Sequence, residues 1–256
     1  MTALLEQTQY AEQLTRITHA LAIAQNGSIS RDLGLGQSLE RVALFTEGNL
    51  DKRFDKLVDQ VEIVSDLFDD LDDLIDQYIS TVPLAAYDSG SSDGNRFAEW
   101  VSHKRHLTAE QGDGLTIVRA RYAVEEHARN NRIGHLHFQE VSSLVARLAP
   151  ELPRNPKLQL RLNPIRQWAV LETTRFLDGD DRVPANVLFY ACGREVRTVV
   201  LDNLGRSLIR TLSKFGPCPL RQVEKQFFET DRGTIRRSAI LELVNDCLQI
   251  GLIAIG

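Results

Sequence analysis

The sequence is poor in cysteine and has no long hydrophobic run. Its 256 residues include three cysteines, Cys192, Cys218 and Cys247, without a CxxC motif, so a disulfide framework is not expected. No run of about 18 apolar residues is present, which excludes a transmembrane helix. The first residues show no basic segment before an apolar block, so we expect no secretory signal. A reduced, cytoplasmic protein without membrane contacts is the prediction.

Basic residues are scarce in the first part of the chain, although the formal net charge of the whole sequence is only −5. Residues 1–100 carry 7 Lys and Arg against 18 Asp and Glu, whereas residues 101–256 carry 23 against 17. This asymmetry predicts differently charged partners for the two ends. A hydrophobic content of 43% is sufficient for a core in one large or two modest domains.

The N-terminal region, residues 1–82, reads as helical. One helix is predicted over residues 3–25, and a long second helix should begin with Asn49 as its N-cap and end before Pro83. Apolar residues recur in the long helix every three or four positions, as in a coiled coil. We expect this seam to mediate homo-oligomerisation through Phe54, Leu57, Val61, Val64, Leu67, Leu71, Leu74 and Tyr78.

Five aspartates follow helical spacing on the side of the long helix opposite the seam. They are Asp66, Asp69, Asp70, Asp73 and Asp76. Three interpretations stay open for them: a solvated helix face, a docking face for a basic protein partner, or a phosphate-like stripe that imitates DNA. Their mutual repulsion would be relieved by such a partner.

The segment 83–96 is rich in Ser, Gly and Asp and is predicted to be a flexible linker. A middle helical region over 97–185 follows, with helices at 97–107, 108–130, 139–149 and 165–177. Thr108 is the expected cap of the second of these helices. Strand is expected only at 134–138 or 157–162 and in a short C-terminal segment, so the predicted fold class is predominantly α with very little β.

The last region, residues 186–256, has the most informative pattern. A helix over 195–215 should end at Gly216, a short helix follows Pro219, and a third helix should begin near Thr234 and reach Leu248. Residues 252–255 suit a short strand. This order resembles a winged-helix domain, and the residues that carry the resemblance are Leu208–Leu212, Pro219–Glu224, Ile240–Val244 and Gly251–Ile253.

The resemblance implies a three-helix core with a β-wing whose third helix enters the major groove of DNA. Because the sequence ends after one wing strand, no hairpin wing is expected downstream. The DNA-binding residues it implies are Thr234, Arg236, Arg237 and Ser238 at the start of the third helix, with Arg221, Lys225 and Arg232 on phosphates.

Two non-enzymatic functions follow. The first is a DNA-associated protein, either a transcription regulator or a subunit of a DNA-handling complex. Glu242 and Asp246 lie further along the third helix and would repel phosphate. The alternative is therefore a scaffold or adaptor, similar in broad arrangement to the kleisin subunits of chromosome-organising complexes, whose winged helix binds a protein.

The sequence does not predict an enzyme, because no nucleophile, base and oxyanion site occur together. His103, His106, His135 and His137 are the only clustered histidines, and they would suit a zinc enzyme only with further ligands. Neither HExxH nor a paired ExxH motif is present. No metal and no cofactor are expected.

Overall fold

The computed structural model describes residues 39–82, 92–155, 157–178, 182–230 and 236–256, and these residues are mostly helical. The chain divides into two compact units between Lys104 and Arg105, whereas the sequence placed the boundary at 83–96. The part of that segment that is described already enters a helix at Asp93. The helix predicted over 3–25 and residues 83–91 of the predicted linker lie outside the described residues.

The described part of the N-terminal unit consists of helices joined by one 3-10 segment. They are α1 (Leu39–Val61), the 3-10 segment (Glu62–Leu67), α2 (Leu71–Thr81) and α3 (Asp93–Lys104). The prediction of one long helix is therefore wrong at its start and in its middle, whereas α2 ends at Thr81, before Pro83, as predicted. The helix begins ten residues before Asn49, and the chain leaves helical geometry after Val61. The interruption allows α2 to pack against α1.

The second unit combines helices with two small sheets. Its helices are α4 (Ala109–Asn130), α5 (Arg132–Ser142), α6 (Val145–Leu148), α7 (Asn203–Phe215), α8 (Leu220–Thr230) and α9 (Arg237–Gln249). Its strands are β1 (Gln159–Leu162), β2 (Arg166–Leu171), β3 (Ala185–Cys192), β4 (Glu195–Val200), β5 (Cys218–Pro219) and β6 (Ile253–Ile255). A 3-10 turn at Ala149–Glu151 precedes β1.

Two helix termini follow the predicted local chemistry. Thr108 caps α4 through a capping box in which its side chain accepts from the Gln111 N–H and Gln111 reaches back to the Thr108 N–H. Gly216 ends α7 with φ +70°, and its N–H donates to the Leu212 carbonyl. Both predictions are confirmed. They could be made from the sequence because the residues of each cap lie within four positions of one another.

The first sheet has the order β5–β1–β6, with both pairs antiparallel. Its central strand β1 precedes its neighbours in sequence by more than fifty residues, and Leu160 lies opposite both Cys218 and Ile255. The strands expected at 157–162 and near 252–255 are confirmed. That these two strands, β1 and β6, pair with each other is decided by the tertiary structure.

The second sheet has the order β2–β3–β4 and corrects two predictions of helix. Residues 166–171 of the expected helix 165–177 form β2, and residues 195–200 of the expected helix 195–215 form β4. The strand considered for 134–138 is part of α5. Gly193, with φ +65°, makes the two-residue turn that joins β3 to β4. After β4, the Asp202 carboxylate caps α7 by accepting a hydrogen bond from the Gly205 N–H.

Strand β3 lies between two hydrophobic clusters. On one face, Leu188 and Tyr190 pack with β1, β6 and helices α7 to α9. On the other face, Val187 and Phe189 pack against α4. A strand buried on both faces has a continuous apolar sequence, so its period cannot be distinguished from that of a buried helix.

Two buried polar side chains fix the loops around these sheets. Asn163 is fully buried and joins β1 to β3, since its Nδ2 donates to the Ala191 carbonyl at 2.8 Å and its Oδ1 accepts from the Ile165 N–H. Asp113 on α4 accepts from the Glu172 and Thr173 N–H groups and from the Thr173 hydroxyl. Each satisfied polar group restrains one loop position.

Candidate functional site

The basic residues predicted to bind DNA lie on two adjacent elements. Arg221 and Lys225 are exposed on α8, and Arg236, Arg237 and Ser238 are exposed at the start of α9. The remaining two, Arg232 and Thr234, lie outside the described residues. The structure therefore brings five of the seven predicted residues onto α8 and the beginning of α9.

The charge of this region is partly compensated. The Arg237 Nε lies 2.7 Å from Glu224 Oε1, a carboxylate whose side chain is only 11% exposed. Lys225 Nζ lies 3.8 Å from Glu229 Oε1 at the surface, where such a pair contributes little. Glu242 and Asp246 are exposed further along α9. The uncompensated positive charge is thus confined to the start of α9 and the start of α8.

A small depression lies where α8 and α9 begin, and it includes an arginine that the sequence did not predict. Arg154, from the turn before β1, lines it together with Arg221 and Arg237. Its volume of about 10 Å³ is close to that of one water molecule. Arg154 stands in a proline-rich stretch far from α8 in sequence, so no local signal associates it with the other two.

The five predicted partner-binding aspartates are all exposed, but they do not share one helix face. Asp66 belongs to the 3-10 segment, Asp69 and Asp70 to the turn after it, and Asp73 and Asp76 to α2. The expectation of a single acidic face depended on an unbroken helix, which the structure does not have. A docking role for these residues remains a prediction.

Most of the predicted oligomerisation seam is covered within one chain. Six of its eight residues are buried: Leu57, Val61, Val64, Leu71, Leu74 and Tyr78. Phe54 and Leu67 are half-buried. The same spacing that suits a coiled coil here serves packing inside the N-terminal unit, because the chain folds back at residues 62–70. Oligomerisation through the seam remains a prediction, although little of its apolar surface is exposed.

An open groove of about 530 Å³ lies between α1 and α2. Its apolar lining comes from Leu50, Phe54 and Ile79, and two carboxylates, Asp51 and Asp76, stand beside it. A groove of this composition suits a side chain with an aliphatic stem and a positive end, such as lysine. Phe54, predicted for oligomerisation, and Asp76, predicted for partner binding, therefore line the same groove.

A buried ion pair, which the sequence did not indicate, joins the helices of the N-terminal unit. The Arg53 guanidinium donates to both Asp93 carboxylate oxygens, at 2.6 and 3.0 Å, and to the Val82 carbonyl at 2.8 Å. The Tyr78 hydroxyl donates to Asp93 Oδ1 at 2.6 Å. With Arg53 only 5% exposed, the cluster connects α1, the end of α2 and the start of α3.

This cluster shifts the pKa values of its members. Burial alone would raise the pKa of Asp93, but hydrogen bonds from Arg53 and Tyr78 and the positive charge of Arg53 hold it below its ordinary value. Burial, and then the hydrogen bond to Asp93, raise the pKa of the Tyr78 phenol. Asp93 is therefore ionised and Tyr78 neutral at pH 7. We assign this cluster a structural role, because Arg53, Tyr78 and Asp93 form their hydrogen bonds with one another and with the Val82 carbonyl.

The histidines that the structure describes do not assemble a metal site. His135 lies on α5 with its Nε2 3.1 Å from the Gly193 carbonyl oxygen, and His103 Nδ1 lies 2.8 Å from the Glu99 carbonyl oxygen of its own helix. Within the described ranges, no group of three or more His, Cys, Asp or Glu side chains has the geometry to hold a metal ion.

The three cysteines are free thiols in different environments. Cys218 and Cys247 are buried in the core around β1, and burial, together with the Asp246 and Asp202 carboxylates, raises the pKa of Cys247 to about 12. Burial also raises the pKa of Cys218. Cys192 is half-buried beside the turn at Gly193.

Thiol labelling should distinguish these environments. In native protein at about pH 8, a maleimide should modify Cys192 first, because the reactive thiolate is suppressed at the two buried thiols. In denaturant all three should react at similar rates, which mass spectrometry can follow. A Cys192→Ser variant should lose only the fast phase. Rapid native labelling of Cys247 would contradict the placement of α9 in the core.

No helix in the described part of the chain is both long and apolar enough to cross a membrane. Comparisons of the chain with known protein families, with curated proteins and with solved structures found no match in any of the three.

Proposed function

We propose that this chain is a non-enzymatic DNA-associated protein, either a transcription regulator or a subunit of a DNA-handling complex. The observation that carries the proposal is the meeting of Arg221 and Arg237 at one depression, with Arg236 exposed beside them. Phosphate contacts from the starts of two adjacent helices would orient the protein on a duplex. Arg236 and Ser238 at the start of α9 would then reach base edges.

The order of elements supports a winged-helix interpretation of the same region. Helix α7, strand β5, helices α8 and α9 and strand β6 follow one another as the resemblance implies. The antiparallel partner of β6 is β1, which comes from upstream in the chain. In this interpretation α9 is the helix that enters the major groove.

Salt-dependent DNA binding by the full-length chain tests the proposal. Fluorescence anisotropy with a labelled duplex should show affinity that falls steeply between about 50 and 200 mM salt, as released counterions require. Replacing Arg236 and Arg237 by alanine should weaken binding and reduce the slope of log affinity against log salt by about 1, since Arg237 is the phosphate contact of the two and one such contact contributes about 0.9.

The matched control removes two exposed arginines of the same unit, Arg129 and Arg132, from α4 and α5. This variant has the same net charge as the Arg236→Ala, Arg237→Ala variant and should keep most of the wild-type slope. An equal loss in both variants, or wild-type binding without salt dependence, would rule out a specific interface at α8 and α9.

The alternative function is a scaffold or adaptor, kleisin-like or of another kind, whose C-terminal unit binds a protein. It is favoured by the pairing of Arg237 with Glu224 and by the exposed Glu242 and Asp246 on α9. A basic partner would then occupy the acidic groove between α1 and α2 or the aspartates near it. Absence of duplex binding even at about 50 mM salt would favour this function.

A further inference from the structure

The depression between α8, α9 and the turn before β1 has the composition of an anion site. Three of its seven lining residues are the arginines Arg154, Arg221 and Arg237, and Leu152 and Leu220 form part of its wall. Both leucines are less than 5% exposed. The two backbone segments that carry Arg154 and Arg221 are therefore anchored in the core next to the depression.

The position of Arg154 is fixed by local hydrogen bonds. Its backbone N–H and that of Asn155 both donate to the Glu151 carbonyl at 2.9 Å, which closes a helical turn after the 3-10 segment. Leu152 anchors the same turn in the core around β1. Arg154 is exposed and lines the depression together with Arg221 and Arg237.

The positive charge at this depression is only partly compensated by the residues that the structure describes. Glu224 pairs with Arg237, while Arg154 and Arg221 have no ion pair with any residue that the structure describes. Guanidinium groups that converge repel one another, and an anion between them removes that repulsion and accepts several hydrogen bonds. The start of α8 at Leu220 adds the positive end of a helix dipole.

We infer that Arg154, Arg221 and Arg237 form a binding site for a single phosphate group, presented by a DNA backbone. The volume of about 10 Å³ is close to that of one water-sized atom, which suits a single phosphate oxygen. Because phosphates are the same in every sequence, this contact positions the protein without selecting a base. The inference rests on the proposed function and adds Arg154 to its interface.

The test is an Arg154→Gln variant of the full-length chain, measured with two duplexes of unrelated sequence. Affinity should fall about three- to tenfold on both, and the slope of log affinity against log salt should decrease by about 1. The control is Arg147→Gln, which removes the same charge from an exposed position on α6 that does not line the depression. It should leave the slope unchanged.

A second measurement separates nucleic acid from free phosphate as the ligand. Inorganic phosphate should raise the Tm of the wild type more than sodium chloride of equal ionic strength, and this difference should disappear in Arg154→Gln. Phosphate stabilisation without duplex binding would support the anion site but overturn DNA as its source, and with it the proposed function. Steep wild-type DNA binding with an unchanged slope in Arg154→Gln would overturn the site alone.

Discussion

A fragment that begins at residue 186 should fail to fold cooperatively, although it contains all three C-terminal helices. It lacks β1, which is the central strand of the sheet β5–β1–β6, so β5 and β6 lose their only partner in that sheet. It also lacks the core side chains Leu152 and Leu160. Unpaired strand edges and an open core leave too little buried area to offset the conformational entropy of folding.

A fragment over residues 105–256 is the matched control, because it corresponds to one compact unit. It should unfold in a single cooperative urea transition followed by circular dichroism, whereas the fragment 186–256 should show a gradual change. In the full-length chain, Leu160→Ala should lower the free energy of unfolding by about 2–5 kcal/mol. A cooperative transition for 186–256 would show that β1 is dispensable. DNA-binding tests must accordingly use the full-length chain.

Replacing Arg53 by alanine should strongly destabilise the N-terminal unit. The substitution leaves the Asp93 carboxylate without its bidentate partner and the Val82 carbonyl without its donor. Because the Asp93 side chain is 21% exposed and Arg96 Nη1 remains 3.8 Å from its Oδ1, the cost should be below the about 3–5 kcal/mol typical of a fully buried pair. The control Lys52→Ala removes the same charge from an exposed neighbouring position of α1 and should change stability by less than about 0.5 kcal/mol.

Tryptophan fluorescence allows this effect to be assigned to one unit. The chain has two tryptophans, and Trp100 lies 5.7 Å from the Tyr78 ring in the N-terminal unit. In a Trp168→Phe background, Trp100 reports unfolding of that unit alone. Equal stability of Arg53→Ala and Lys52→Ala in this assay would show that the ion pair contributes nothing net.

The same cluster gives a signed dependence on pH. Because the pKa of Asp93 is lower in the folded than in the unfolded state, its contribution is fully present above the ordinary aspartate pKa and is lost as the pH falls from that value through the lower pKa of the folded state. Between about pH 5 and pH 3 the wild type should therefore lose more stability than an Asp93→Asn variant. Parallel curves for the two proteins would contradict the lowered pKa.

Local chemistry in the sequence was sufficient for several elements. The capping box at Thr108 and the stop at Gly216 were predictable because their partners are within one turn of helix. The order of α8, α9 and β6 followed from apolar spacing and turn residues. By contrast, β2 and β4 were predicted as helix, although Gly193 followed by Arg194 is a recognisable two-residue hairpin turn.

The sequence by itself determined that this protein is mostly helical, that its N-terminal part is acidic and that basic residues flank the last two helices. Only the tertiary structure decided that β1 enters the C-terminal sheet, that the seam is mostly covered within one chain and that Arg154 meets Arg221 and Arg237. The reason is physical. Caps and turns depend on neighbours in sequence, whereas strand pairing and converging charges depend on residues that only folding brings together.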